Sequence, residues 1–399
     1  MQYLSANCII PVIGHPVFNH VLAVSDEGII DGIFSIDELK GQINEIIHYE
    51  GALCPGFINT HCHLELSWAK GLIAEGRGLD AFVRQLENNR KSVSEKKVQD
   101  AIGLAASQML QSGIVATADI ANGIHTLDFK RNTKQYFHTF VEVFGSNPSF
   151  AVSIFENALL LKKQFAEHDS LNKVSIVPHS TYSLSEELFK LVTTEEVESL
   201  LSIHHQENLD EKLFFYDGSG SIADRRKAFN PDIQPFLGTG KRPMESIVGY
   251  FHHDQKLLLV HNTVSEQQDI DFVRHFFKHP YWCFCPNANL FIENRLPEID
   301  LFRASNCTIT LGTDSLTSNY QLSIFEEIKT LQRHFPHIPL TELLSWGTIN
   351  GARFLGMEHQ LGSFEKGKSP GIVLIENLDT QTLTLTPEST SRLIIPAFS

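Results

Sequence analysis

The stretch Pro55-Gly-Phe-Ile-Asn-Thr-His61-Cys-His63 joins a short apolar run to two histidines spaced i and i+2. Side chains alternate across a strand, so His61 and His63 point the same way and can address one ion. Neutral imidazole suits zinc or Fe(II). Taken alone, the pair is equally compatible with two ordinary surface or core histidines. Its context decides the reading.

Moving outward, runs of the same kind recur through the middle of the chain: 53–59, 114–119, 137–144, 174–177, 200–203, 257–260, 281–285 and 308–311. Between them lie longer stretches such as Val98 to Gln111 and Glu186 to Leu201, with apolar residues at helical spacing. Near-continuous apolar strands separated by helices are what a parallel sheet covered on both faces requires. Eight of them predict an α/β fold, a (β/α)8 TIM barrel over 55–355, with a doubly wound open sheet as the alternative. Just beyond several runs stand His61 and His63, His179, His204 and Glu207, His261, and Asp314. Barrel enzymes gather catalytic groups from the C-terminal ends of different strands, which favours the barrel.

The two ends of the chain have another rhythm. Short β-like runs (8–13, 20–24, 29–33) separated by Gly, Pro and Asp-Glu-Gly turns fill the first 53 residues, and 371–375, 382–385 and 393–395 repeat the pattern in the tail. These predict one small β-domain assembled from 1–54 and 356–399.

The 399 residues carry a net charge of −15, which argues against nucleic acid or an anionic membrane as partner. No apolar run approaches 18 residues and no basic leader opens the chain. The six scattered cysteines read as reduced thiols. A cytoplasmic protein is expected.

His204 and Glu207 offer a third ligand and, three residues on, a carboxylate able to reach the reacting atom; His205, adjacent on the strand, should point away. Asp314, in Leu311-Gly-Thr-Asp-Ser-Leu-Thr-Ser-Asn319, supplies an anionic fourth ligand. Three histidines and one aspartate describe a site for one divalent ion, zinc first and Fe(II) second, that holds a water and lowers its pKa toward ~7. Glu207 is best placed for the proton work. His261 either orients that water or is a satisfied histidine at a strand end. His179 is expected to touch substrate, and Glu65 to touch substrate or to orient an imidazole. Gly218-Ser-Gly220-Ser-Ile-Ala223 matches only the loosest dinucleotide fingerprint and reads as a flexible loop within a long insertion, 208–245. His63-Leu-Glu65 opens the nucleoside-deaminase zinc signature, but its Pro-Cys-x-x-Cys half is missing.

Together these residues resemble the amidohydrolase superfamily, in its deaminase and chlorohydrolase branch. Pro55 to His63 is similar to the family's first-strand motif, His204 to Glu207 to its fifth, His261 to its sixth, and Gly312-Thr-Asp-Ser315 to its eighth. Pro178-His-Ser-Thr-Tyr182 resembles its Pro-His-x-x-Tyr, and Cys285-Pro-Asn-Ala-Asn289 its Cys-Pro-x-x-Asn, which adds Asn289 as a substrate-binding residue. The resemblance implies a distorted barrel with a small β-sandwich from both termini. It also implies His61, His63, His204 and Asp314 as ligands of one ion, usually zinc. Glu207 would be the proton shuttle, His261 the water-polarising histidine, and Asp314 a proton acceptor as well. Val174-Ser-Ile-Val-Pro-His179 offers no lysine for a second, bridged ion. Within the branch, His63-Leu-Glu65-Leu-Ser67 is similar to the His-Leu-Glu-Phe-Ser run of 6-amino-6-deoxyfutalosine deaminases, departing at Leu66.

That similarity implies attack of metal-activated hydroxide on an aminated purine ring with release of ammonia, in menaquinone biosynthesis. The substrate would be a small heterocyclic amine; a homodimer is left open. The alternatives are deamination of S-adenosylhomocysteine or adenosine, guanine or a triazine on the same site, and a catalytically inactive barrel that only binds.

Overall fold

The computed structural model describes residues 1–39, 41, 43, 45–90, 93–167, 172–229 and 231–398. Four strands open the chain: β1 (Gln2–Ile9), β2 (His20–Val24), β3 (Ile30–Ser35) and β4 (Ile47–Pro55). Each of the eight apolar runs then yields a strand. These are β5 (Phe57–Cys62), β6 (Ile114–Ala121), β7 (Tyr136–Val143), β8 (Lys173–Pro178), β9 (Leu201–His205), β10 (Leu257–His261), β11 (Pro280–Phe284) and β12 (Thr308–Leu311). The tail adds β13 (Ile372–Asp379) and β14 (Thr384–Ile395).

The central eight form two parallel four-stranded sheets, ordered β5-β6-β7-β8 and β9-β10-β11-β12. They curve into a distorted (β/α)8 barrel whose two seams are not continuous ladders. At the C-terminal rim the seams are joined by single bridges, Cys62 to Asp314 and Ser180 to His204. Lower down, side chains do the joining. Thr60 Oγ1 donates to Thr310 Oγ1 (2.8 Å), and Ser175 Oγ donates to the Leu200 carbonyl (2.8 Å).

Helices cover the outside for ordinary reasons. In Glu95–Gln111, Ser94 caps the first turn by accepting the Lys97 N–H, and Val98, Ile102, Ala105, Ala106 and Met109 form the buried stripe. Ser185 and Ser323 likewise cap Glu186–Glu195 and Ile324–His334, and further helices lie at Ala151–Ala166 and Gln267–Phe276. A helix at Gly78–Arg90 sits above the rim on a small core of its own, in which Leu79 and Phe82 pack with Ile73, Phe291 and Ile292. Among the described residues no helix is long and apolar enough to cross a membrane.

Both termini build the small β-sandwich domain, whose strands form one six-stranded mixed sheet, β14-β13-β4-β1-β2-β3. Its core is separate, centred on Leu4, Ile9, Leu22, Val24, Leu53 and Leu374. Three expectations are corrected in detail. The apolar run 53–59 is two strands, because Gly56 turns the chain out of the terminal sheet and into the barrel. A Cβ there would lie 2.5 Å from Val115 Cγ1 and 2.6 Å from the Pro370 carbonyl oxygen. The tail runs 382–385 and 393–395 are the two ends of one strand, β14, with 382–383 in the turn before it. The insertion read as a flexible loop carries helices Leu209–Asp217 and Ser221–Phe229, with Gly218 at φ 74° capping the first, and a third helix at Pro243–Ile247.

Candidate metal centre and active site

All the strand-end residues singled out above converge on the rim. His61 and His63 leave β5, His204 and Glu207 leave β9, His261 ends β10, and Asp314 follows β12. Ligand atoms of His61, His63 and His204 lie within 4.8 Å of one another. His63 Nε2 is 3.4 Å from His204 Nε2, while Asp314 Oδ1 is 3.7 Å from His61 Nε2 and 3.6 Å from His63 Nε2. Two nitrogens each about 2.0–2.1 Å from a tetrahedral ion stand about 3.4 Å apart, so these spacings suit shared ligation rather than direct bonds among the side chains.

Polar accounting points the same way. Both ring nitrogens of His61 and Nδ1 of His63 are buried without a hydrogen-bond partner, a costly state unless something else occupies them. His204 donates Nδ1–H to the His179 carbonyl (2.6 Å), which turns its Nε2 lone pair into the cluster. Ser318 donates to Asp314 Oδ2 (2.5 Å), leaving Oδ1 toward the histidines. Burial, with the neighbouring histidines second, lowers the pKa of His61 well below the usual imidazole value; His204 shifts the same way for the same reasons. Neutral imidazole is the ligating form. The residues therefore fit a divalent ion.

Around that cluster, Glu207 Oε1 lies 3.7 Å from His261 Nε2. Burial pushes the Glu207 carboxyl up to about 7, with His261 opposing and Asp314 adding to the shift. It lines a cavity of about 460 Å3 with Asp80, Glu293 and Arg295. Asn289 is buried, donates to Thr263 Oγ1, and holds Oδ1 3.4 Å from His261 Nδ1. Its side chain thus reaches His261, where a substrate contact was expected. His179 stacks beside the site, its ring 4.7 Å from that of His204 and its Nδ1 3.2 Å from Ser183 Oγ. His205 turns away as expected, to Asn262 Oδ1 (3.0 Å).

Glu65 lies on the other flank, 3% exposed, accepting the Asn122 N–H (3.2 Å) with Arg90 3.7 Å away. No bond to a ligating imidazole accompanies it among the described contacts. A cavity of about 470 Å3 opens above it, bounded by Arg90, Asn122, His125, Glu142 and Phe144. The Gly78–Arg90 helix reaches from one cavity to the other, Asp80 at its start and Arg90 at its end.

Backbone geometry at the rim is unusual. His261 (φ 74°) and Asp314 (φ 55°) adopt left-handed conformations that non-glycine residues seldom take. Gly312 explains the Gly-Thr-Asp order, since a Cβ there would lie 2.7 Å from His61 Cβ and 2.9 Å from Cys283 Sγ. Sequence reasoning passed over Glu142, whose buried Oε1 has no hydrogen-bond partner and lies 3.6 Å from His204 Nδ1. A lone carboxylate inside an apolar run was the available signal. Asp119 and Lys130 were also passed over.

The amidohydrolase family model matches residues 52–395. The chain belongs to the amidohydrolase family. It is accordingly an enzyme that hydrolyses carbon–nitrogen bonds, in a metal-dependent family, and the cluster above suits one divalent ion. The chain is 24% identical over 417 residues to the 5-methylthioadenosine/S-adenosylhomocysteine deaminase of Bacillus cytotoxicus, covering 99% of this chain and 89% of that one. It is 26% identical over 364 residues to the aminodeoxyfutalosine deaminase of Nitratiruptor sp., covering 89% and 87%. In structure it is similar to the aminofutalosine deaminase of Helicobacter pylori in complex with methylthio-coformycin. That match has a TM-score of 0.85 and 20% identity over 100% of this chain and 99% of that one. This last likeness supports the barrel and its terminal β-sandwich.

Proposed function

We propose that this amidohydrolase deaminates the adenine ring of a 5′-modified adenosine, with 6-amino-6-deoxyfutalosine as first-choice substrate and zinc as the native ion. The observation that carries the proposal is Glu207: a buried carboxyl, protonated up to about pH 7, beside His261 and the three-histidine cluster on the wall of a cavity. The relatives named as deaminases of methylthioadenosine, S-adenosylhomocysteine and aminodeoxyfutalosine support the adenine ring. The His63-Leu-Glu65 run supports the futalosine derivative, with Glu65 at the floor of the second cavity.

His61, His63, His204 and Asp314 would hold the ion, which when bound activates a water for attack. Glu207 holds a proton that it delivers to a ring nitrogen, raising the electrophilicity of the amino-bearing carbon. The water oxygen bonds to that carbon and the C–N bond breaks. Of the water's two protons, one leaves with the amine as ammonia and the other restores the Glu207 carboxyl, while the ring keeps the proton Glu207 gave it. Asp314 Oδ1 and His261 Nε2 would orient that water. Asn289 keeps the His261 ring in place.

The test is ammonia release by the zinc-loaded protein from a panel comprising 6-amino-6-deoxyfutalosine, methylthioadenosine, S-adenosylhomocysteine, 5′-deoxyadenosine, guanine and an aminotriazine. The expected result is turnover of adenine compounds, highest in kcat/KM for the futalosine derivative. Turnover of guanine or triazine alone would replace the substrate assignment. A protein that takes up no metal and releases no ammonia would be a binding barrel. A cytoplasmic location is part of the proposal, supported by six cysteines that form no disulfide.

A further inference from the structure

Asp119 lies near the C-terminal end of β6 and Lys130 in the short helix Leu127–Asn132; neither belongs to the metal cluster. Their charged ends meet at 2.6 Å with side chains 0% and 3% exposed. The ammonium also donates to Thr139 Oγ1 (3.0 Å) and lies 5.0 Å and 5.4 Å from the ring centres of Phe165 and Phe137. A buried ion pair in apolar surroundings is at best neutral against a well-packed apolar pair, because desolvation offsets the attraction. Stability alone does not account for it.

Its other contact does. Asp119 Oδ1 accepts the backbone N–H of Leu64 (2.8 Å), the residue that follows His63. Cys62, between the two histidines, is registered on Asp119 in the β5–β6 ladder, but that ladder slips between Asn59 and Cys62. Regular strand pairing therefore lapses just where the histidines begin, and a side chain takes over.

We propose that Asp119 and Lys130 are positioning residues for the metal ligands: Asp119 pins the chain beyond His63, and Lys130 pins Asp119. This rests on His61 and His63 being ligands. Wild-type protein that binds no zinc would defeat that underlying reading, whereas the comparison below addresses the positioning role itself.

Zinc affinity is measured on the full chain by competition with a chromophoric chelator, alongside thermal unfolding of the metal-free forms. D119L/K130M removes the pair without stranding a charge and should bind zinc roughly 10–100-fold more weakly, the usual effect of losing an outer partner of a metal site. D119N/K130M restores an acceptor for the Leu64 N–H and should recover most of that loss. A folded D119L/K130M with wild-type zinc affinity, or an Asn variant as weak as the Leu one, would overturn the proposal. Should the Leu variant not fold, hydrogen exchange at the Leu64 amide of wild type decides. Equal protection with and without zinc supports prior positioning by Asp119; protection that appears only with zinc refutes it.

Discussion

Glu207 and Glu65 are both carboxyls that burial pushes to about 7, on opposite flanks of the same cluster, and their neighbours separate their tasks. Glu207 lies beside His261 and within the influence of the Asp314 charge, the groups that in the proposed mechanism orient the attacking water. Glu65 faces Arg90 and the Asn122 amide, away from it. Glu207→Gln should therefore keep one equivalent of zinc by metal analysis while kcat falls roughly 10²- to 10⁴-fold, the usual worth of a positioned general acid–base. A rate within a few-fold of wild type would free Glu207 from that role. Glu211 tests burial apart from catalysis. It is buried, takes the Thr181 hydroxyl (2.6 Å), and has its pKa raised to about 8, chiefly by desolvation. An acid with a higher pKa folded than unfolded binds more protons in the folded state. Its stabilisation is complete below about pH 4.5 and is lost as pH rises toward 8, each unit of separation being worth about 1.4 kcal/mol. Urea unfolding of zinc-saturated Glu211→Gln should accordingly show a shallower decline than wild type between about pH 5 and pH 8. Parallel curves would contradict the buried neutral carboxyl.

At the level of elements, the eight barrel strands were legible because a strand covered on both faces must be apolar along its length, and His, Glu and Asp at its end then stand out. What stayed hidden is what depends on contacts distant in sequence. Nothing local in 53–59 says that Gly56 faces Val115 and Pro370, so one run concealed two strands. The left-handed backbones of His261 and Asp314 are imposed by packing, since neither residue type demands them. Asn289 was legible as a site residue, but its contact with His261 was not, because it reaches from the helix Pro286–Glu293 to a residue 28 positions earlier in the chain. Gly312 shows the reverse case, where a motif glycine acquires a geometric reason. Gly312→Ala must displace β12 from β5 by tenths of an ångström at His61. Overpacking of this kind costs about 1–3 kcal/mol, and zinc affinity should fall with it. Differential unfolding and zinc titration on one sample check both; an alanine variant matching wild type in each would show that the rim has room to give.

For the whole molecule, the barrel is two arcs of four strands, and the proposed ligands are divided between them. His61 and His63 come from the first arc, His204 and Asp314 from the second. Ligation at the rim would consequently tie the arcs together where single bridges otherwise do so. Anything that binds only the folded state adds stability by mass action, about 2.7 kcal/mol at a hundredfold excess over Kd. Chelation should therefore lower Tm measurably, with hydrogen exchange rising first along Thr60 to His63 and Ser202 to His204 rather than in the terminal sheet. Uniform loosening, or an unchanged Tm, would mean the ring closes without help. The same geometry bears on the fate of the protein in a cell short of metal. A copy that has lost its ion would also lose that tie between the arcs, so its inactive form should be the one most readily opened and cut by proteases. Scarcity of the ion would then lower the amount of enzyme as well as its activity.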